Sequence, residues 1–487
     1  MSPTFRSLVH RDYRLYAAGA FVSNVGTWMQ RVAQDWLVLE VTAGSATALG
    51  ITTGLQFLPI LLFSAYAGAI ADRVPKRTLL MCTQFGLALP ALVLGLLAVT
   101  GTVEAWHVYV LAFLFGTAWA IEAPGRQAIV SELVSPEDVP NAVGLNSASF
   151  NAGRIIGPAV AVLTIAAFGS GVEGTGVVIL LNAVSYFAVL AALVRIGRRP
   201  LPDHLLGRPR GTVRQGLSYL RGRPDLLLVM GVMFFTGTFG LNFQMTSALM
   251  ATEVFGKGAT EYGVLGTTMA VGSTTGSLIA ARRATSTVRL VVGASVIFCA
   301  VEIVFGLMPS YVTFLLFTPL IGITAMTAIT SANTYVQLTV PDGLRGRVMA
   351  LYLTVFMGGT PLGAPVIGWL AELFGARWSL IGGGVGTIGG AVLVATVLAA
   401  RYGKEALYNP GSEPPLPTPG DPGRPAPADP HRGDQPAGQW IADPSPSGSK
   451  GSVGSGRPSS TMPGSSAPSP PAGGAVPRRR SAGVGSS

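Results

Sequence analysis

The residues able to do chemistry are few, and most lie inside long apolar runs. The first run carries Asn24, Trp28, Arg31 and Asp35 at spacings of 4, 3 and 4, which places them on one stripe of a helix. Counted from Leu15, Arg31 lies roughly 24 Å and Asp35 roughly 30 Å along that helix at about 1.5 Å per residue. A carboxylate at that depth can exchange a proton with water on the far side. The alternative is an Arg31–Asp35 pair at i,i+4 that satisfies only itself. A later run holds Asn146, Asn151 and Arg154, with Arg154 roughly 18 Å from its start. A guanidinium at that depth must face a partner or a wet cavity. There it could bind a solute or control the proton state of a carboxylate. Glu122 and Arg126 form another i,i+4 pair with Pro124 between them. Arg126 can snorkel to water, while Glu122 sits deeper. The second half offers Glu302, and also Asn242, Gln244, Thr330, Asn333 and Thr334 beside aromatics such as Phe239.

These side chains need long helices to hold them in lipid. Of 487 residues, 49% are apolar and 11% charged, against about 25% charged in soluble domains. The chain is therefore an all-α polytopic membrane protein. About twelve runs reach the roughly 20 residues needed to span a bilayer. They cover 15–40, 46–71, 78–100, 105–126, 142–168 and 175–195 in the first half. In the second they cover 225–251, 260–281, 288–308, 311–335, 346–374 and 378–400. The first run is interrupted by Asn24, Gln30, Arg31, Gln34 and Asp35, unlike a cleavable signal peptide. Cys82 and Cys299 fall inside apolar runs and read as small packing residues. No phosphate-cradling, metal-ligand, nucleophile–base or haem pattern appears, so neither an enzyme nor a cofactor or metal is expected, and no ATP-driven pump.

Loop charges orient the runs. Arg6, Arg11, Arg14, Arg73, Lys76, Arg77, Arg282, Arg283, Arg289, Arg345, Arg347, Arg401 and Lys404 share one side, joined by the bases between Arg198 and Arg223. The opposite loops offer only Lys257 and Arg377. By the positive-inside rule both termini are cytoplasmic, in a multi-pass protein of the plasma membrane. The net charge of +10 thus reflects topology rather than a nucleic-acid partner; the expected partners are a small molecule, the lipid bilayer and protons, with the chain a monomer. A shift of 206 lays Phe150 on Phe356, Gly153 on Gly359, Gly157 on Gly363 and Gly169 on Gly375, so the halves are parallel repeats. The expected organisation is an N-terminal arm (1–14), a six-helix bundle (15–196), a basic cytoplasmic linker (197–222), a second six-helix bundle (223–400) and a Pro/Gly/Ser-rich disordered tail (401–487). Gly153-x-x-x-Gly157 and Gly359-x-x-x-Gly363 read as close-packing sites on bendable helices at the interface between bundles.

Between the second and third runs stands Gly68-Ala-Ile-Ala-Asp72-Arg73-Val-Pro75-Lys76-Arg77. Its spacing resembles the loop between helices 2 and 3 of the major facilitator superfamily. Three further stretches resemble the bacterial enterobactin-exporter and macrolide-efflux-like branch: Asn24 to Trp36, Pro124-Gly-Arg126-Gln127 with Asn141 to Asn146, and Leu344-Arg-Gly-Arg347-Val-Met349. The resemblance covers roughly residues 5–402 and implies twelve helices in two pseudo-symmetric bundles that rock about a central cavity. It implies that Asp72 faces the start of helix 11 near Leu344 and latches the cytoplasmic side, with Gly68, Arg73, Lys76 and Arg77 supporting that gate. Ala281 stands where the second half would repeat Asp72, so the gate is one-sided. The superfamily layout puts helix 9, and with it Glu302, on the periphery. It implies a proton-driven exporter of small amphipathic compounds, drug- or siderophore-like. Asp35, Arg31, Glu122, Arg154, Asn151 and Trp28 are its expected coupling and cavity residues. Uptake or facilitated diffusion of a metabolite is the alternative; a non-transporting sensor or scaffold is disfavoured by the charges inside the spans.

Overall fold

The computed structural model describes residues 3–169, 171–196, 213–283 and 285–408, all within one compact unit, Met1–Leu416. The linker from 197 to 212 and the tail beyond 408 lie outside the described residues. Six long helices build the first half: α1 (Arg11–Val41), α2 (Ala46–Arg73), α3 (Lys76–Val99), α4 (Ala105–Glu132), α5 (Val139–Phe168) and α6 (Val172–Arg195). After a short α7 (Val213–Arg221), the second half repeats the plan. A broken segment comes first, α8 (Pro224–Phe235) and α9 (Phe243–Leu249). It is followed by α10 (Ala259–Ala281), α11 (Val288–Gly306), α12 (Tyr311–Thr339), α13 (Asp342–Gly358) with α14 (Thr360–Phe374), and α15 (Arg377–Tyr402). A last turn, α16, covers Lys404–Tyr408, and the described residues hold no strand.

Among the described residues, ten segments are long and apolar enough to cross a membrane. The other two long helices are α1, which carries the Asn24–Asp35 polar stripe, and α10, rich in Gly, Ser and Thr. A helix satisfies its backbone groups within itself, as hydrocarbon without water requires. Side-chain caps fix several starts: Ser45 Oγ accepts from the Ala48 amide at 3.2 Å and Thr287 Oγ1 from the Leu290 amide at 3.2 Å. The repeat is visible in the backbone. Gly169 (φ 108°) ends α5 and Gly375 (φ 92°), 206 positions later, ends α14, each in a conformation that side chains rarely adopt. It is also visible in packing. Gly116 lets α4 close on α2 at Gln56, and Gly322, 206 positions later, lets α12 close on α10 at Met269.

The small-residue motifs act within the bundles rather than between them. A Cβ at Gly153 would stand 3.0 Å from Asn24, and Gly157 faces Trp28 and Val25, so both seat α5 on α1 of the same half. Gly359 and Gly363 likewise seat α14 on Thr238 and Phe234 of the second half. Helices α5 and α14 do border the other bundle, but these four glycines are turned inward.

Other expectations are corrected at the edges. Helix α1 starts at Arg11, not 15, because Tyr13 and Tyr16 are buried and Tyr13 Oη donates to Ala142 O at 2.8 Å. The residues before it are pinned to the start of α5: Arg6 pairs with Asp138 at 2.7 Å, and His10 meets Asp138 at 2.8 Å. The end of the expected linker is helical as α7, where Gly216 rests against Leu351 and Arg347 of α13. The chain stays ordered past 401, since Leu407 of α16 is buried against the second bundle.

The seventh span, expected as one helix over 225–251, is interrupted by a wide turn at Thr236–Gly240. Two glycines weaken the helix there, and side chains serve the carbonyls around the break. Thr238 Oγ1 donates to Phe234 O at 2.7 Å and Asn242 Nδ2 to Thr238 O at 2.8 Å. At the start of this span Asp225, buried, receives Arg223 in a fork at 2.9 and 2.7 Å and Tyr335 Oη at 2.5 Å. Asp225→Asn removes the charge from that junction. It is expected to destabilise the second half by about 2–3 kcal/mol, below the figure for a fully buried pair because Arg223 keeps some water. Thermal unfolding in detergent measures this; an unchanged midpoint would show that the fork contributes nothing.

Candidate functional site

A cavity of about 230 Å³ lies within the first half. Helix α1 supplies Ser23, Asn24, Thr27, Trp28 and Arg31 to its wall, and α4 supplies Trp119, Glu122 and Arg126. Phe57, Leu87, Phe150, Arg154 and Tyr186 come from α2, α3, α5 and α6, while among the described residues of the second half only Met357 takes part. Helical periodicity explains the convergence. Asn24, Trp28 and Arg31 share one face of α1, and Trp119, Glu122 and Arg126 share one face of α4.

The wall is largely aromatic, with three guanidiniums and one carboxylate set into it. Arg31 is caged by three rings, its guanidinium carbon 5.2 Å from the centre of Trp28, 5.4 Å from Phe57 and 5.3 Å from Trp119. Arg154 lies 5.3 Å from the same Trp28 ring, and its Nη2 donates to Ser273 Oγ on α10 at 3.3 Å. Phe150 meets Trp28 edge-on at 5.6 Å. Glu122 is buried; it accepts from Gln84 Nε2 at 2.6 Å and stands 3.6 Å from Arg126 Nε. Arg126, expected to reach for the membrane surface, instead lines the cavity beside this carboxylate. Behind the wall, Asn182 Nδ2 donates to Gln30 Oε1 at 2.5 Å and to Tyr186 Oη at 3.1 Å.

Asp35 does not line the cavity. It is 7% exposed, about one turn further along α1, and receives a 2.8 Å bond from Tyr262 Oη of α10. No ion pair joins Asp35 to Arg31, so the self-satisfied pair is not what the structure contains. The Asp35–Tyr262 bond crosses from one bundle to the other at the end remote from the termini. Other contacts close the same end. Glu372 Oε2 of α14 accepts from Ser45 Oγ at 3.1 Å and from the Thr47 amide at 2.9 Å, placing a carboxylate at the positive start of α2. Gly50 and Gly368 bring α2 and α14 together: a Cβ on either would stand 2.5 Å from a backbone oxygen of the other helix, Ala364 O or Ala46 O.

Asn151 lies apart, its Nδ2 turned back to Ser147 O at 2.9 Å. Glu302 is buried against Gly240 and Gly383 beside the break in the seventh span, and its Oε2 has no hydrogen-bond partner. In the loop from Gly68 to Arg77, α2 ends at Arg73 and α3 begins at Lys76. Lys76 Nζ donates to Ala71 O, Arg77 Nε donates to Leu193 O of α6 at 2.6 Å, and Arg73 is exposed. These bonds stay within the first half. A Cβ on Gly68 would meet open space, so no close packing requires that glycine here. The Asp72 side chain lies outside the described residues. Tyr262, Phe57, Trp119 and Tyr186 were not legible as site residues. Only Trp119 carried a usable signal, its spacing of 3 from Glu122. Among the described residues no group of His, Cys, Asp or Glu could hold a metal ion.

Two parallel six-helix halves, the first holding a cavity lined by aromatic rings and guanidiniums, define a major facilitator superfamily transporter. Residues 2–417 match the Transmembrane secretion effector family, and the chain belongs to it. It is 26% identical over 373 residues to the Staphyloferrin A transporter of Staphylococcus aureus, an alignment covering 74% of this chain and 90% of that one. It is 27% identical over 374 residues to the Multidrug efflux pump Tap of Mycolicibacterium fortuitum, covering 73% and 88%. The fold matches an inward-facing, occupied crystal structure of a bacterial homologue of the human lysosomal transporter Spinster. The TM-score is 0.61 at 18% identity, over 82% of this chain and 98% of that one. The protein is a multi-pass membrane transporter, not an enzyme, of the branch that includes enterobactin and macrolide exporters.

Proposed function

We propose that the protein is a proton-coupled exporter of small amphipathic compounds that works by alternating access. The observation that carries this is the Asp35–Tyr262 bond. A buried carboxylate on the cavity stripe of α1 is tied across the seam between the bundles, so parting the bundles at that end necessarily changes its surroundings. A proton can drive a conformational change only through different affinities for the two states, and a carboxylate dry in one state and wet in the other supplies that difference. The positive-inside rule puts both termini in the cytoplasm of the plasma membrane. The sealed end then faces outward, and the cavity of Trp28, Arg31, Glu122 and Arg154 serves the cytoplasmic side. The Gly68–Arg77 loop, with Asp72, would close that side in the opposite state. The two bundles rock as units about the linker, and the monomer is the working form.

The relatives named as a siderophore transporter and a drug efflux pump support small amphipathic cargo. The test uses everted membrane vesicles with an imposed pH gradient, acid inside. The vesicles are expected to accumulate an amphipathic substrate, and an uncoupler is expected to abolish the accumulation. Accumulation that ignores the gradient and the uncoupler would rule out proton coupling.

A further inference from the structure

The arginine-rich wall points to the charge of the cargo. Three guanidiniums, Arg31, Arg126 and Arg154, face the cavity against one carboxylate, Glu122. Glu122 is engaged by Arg126 and Gln84. Arg31 and Arg154 have no acid within ion-pairing distance, and both lie against the Trp28 ring, at 5.2 and 5.3 Å from its centre. The nearest carboxylate to Arg31 along α1, Asp35, is held by Tyr262 instead. Ring faces attract cations only weakly compared with an anion. Two guanidiniums against one indole, inside the span and without an ion-pair partner, therefore call for an anion.

We propose that the counter-charge is the cargo itself: the cavity binds an anionic aromatic compound, its carboxylate or phenolate bridging Arg31 and Arg154 and its ring lying among Trp28, Phe57, Trp119 and Phe150. A guanidinium presents a planar fork of donors that fits a carboxylate, and the surrounding rings offer edges and faces to a flat body; Phe57 and Trp119 pack edge to face, 6.0 Å apart at 86°. The Arg154–Ser273 bond reaches α10, so an anion seated on Arg154 also touches the seam between the bundles. This assignment rests on the transporter function proposed above and narrows its substrate class.

The test compares two probes of nearly the same shape and opposite charge, 2-naphthoate and 2-naphthylmethylammonium. Binding to the purified full-length protein in detergent is read by quenching of tryptophan fluorescence, since Trp28 and Trp119 line the cavity. Naphthoate is expected to bind the wild type at least tenfold more tightly than the ammonium. Arg31→Gln and Arg154→Gln should each weaken naphthoate at least tenfold while leaving ammonium binding equal or stronger, which also shows that the variants are folded. Arg154→Lys should recover part of the loss. Equal binding of the two probes by the wild type would overturn the assignment, as would arginine variants that weaken both probes alike. Gradient-driven uptake of each probe into everted vesicles separates the two proposals. Uptake without charge preference overturns the anion assignment alone, whereas no driven uptake of either probe counts against the exporter.

Discussion

Replacing Asp35 by asparagine is expected to abolish gradient-driven accumulation while leaving the protein folded and able to bind cargo. Asparagine keeps the shape of the side chain and can still accept from Tyr262 Oη, but it cannot take up or release a proton. The cavity is untouched because Asp35 is not in its wall. The expected outcome is accumulation at the level of empty vesicles, with binding within about twofold of wild type. Tyr262→Phe tests the other partner and should behave differently. It leaves the carboxylate able to titrate and deletes the single hydrogen bond that holds it across the seam. A hydrogen bond to a charged group contributes about 1.5–3 kcal/mol. The closed state of the remote end should therefore lose about tenfold to a hundredfold in relative population. Transport should become leaky and less steeply dependent on the gradient, not absent. If Asp35→Asn vesicles still concentrate cargo against a pH gradient, the coupling proton resides on another group.

The second large effect concerns Gly368. Its missing Cβ would stand 2.5 Å from Ala46 O and 3.2 Å from the Gly50 Cα, both backbone atoms that cannot turn aside. Gly368→Leu therefore cannot coexist with a closed remote end. Two outcomes compete, unfolding of the second bundle or separation of the bundles, and the location decides between them. Gly363 faces Thr238 within its own bundle, whereas Gly368 faces α2 of the other half. Relief at Gly368 costs only the contacts along the seam, among them Glu372 with Ser45 and Thr47. The variant should thus fold but stay open at that end. A cysteine placed at Ala46, 1% exposed, in a chain with Cys82 and Cys299 changed to serine, reports this. It should resist an impermeant maleimide in the otherwise native protein and react in Gly368→Leu, with transport reduced at least tenfold. Wild-type transport by Gly368→Leu would mean that this close approach is not part of the working cycle.

What was legible in the chain was whatever a single helix determines. The 4, 3 and 4 spacing from Asn24 to Asp35 placed Trp28 and Arg31 on one face, but it grouped Asp35 with them, and the fold puts Asp35 in the seam instead. The 206-residue repeat placed Gly169 and Gly375 at equivalent helix ends before any backbone angle was known. Partners contributed by other helices were not legible. Nothing local marks Tyr262 as the donor to Asp35, since it is one of 12 tyrosines and lies 227 positions away. The glycine motifs disclosed that a helix would approach closely, but not which one, because the spacing is the same for an approach within a bundle or between two. The break at Thr236–Gly240 carries no proline; Gly237 and Gly240 look like any small residues of a transmembrane run. The direction of Arg126 was missed for a related reason: it lies near a helix end, where a long side chain has water as an alternative, and only the surrounding helices decide where it points.

Met357 is the sole contribution of the second half's described residues to the cavity wall, and this bears on how such a protein diversifies. On the function proposed above, changes of cargo fall on α1 to α6, while the other half keeps its share of the seam. A crossover between the halves would pass one parent's cargo range to the offspring through the first half alone. On that function, specificity is expected to be inherited as a block rather than assembled from both parents.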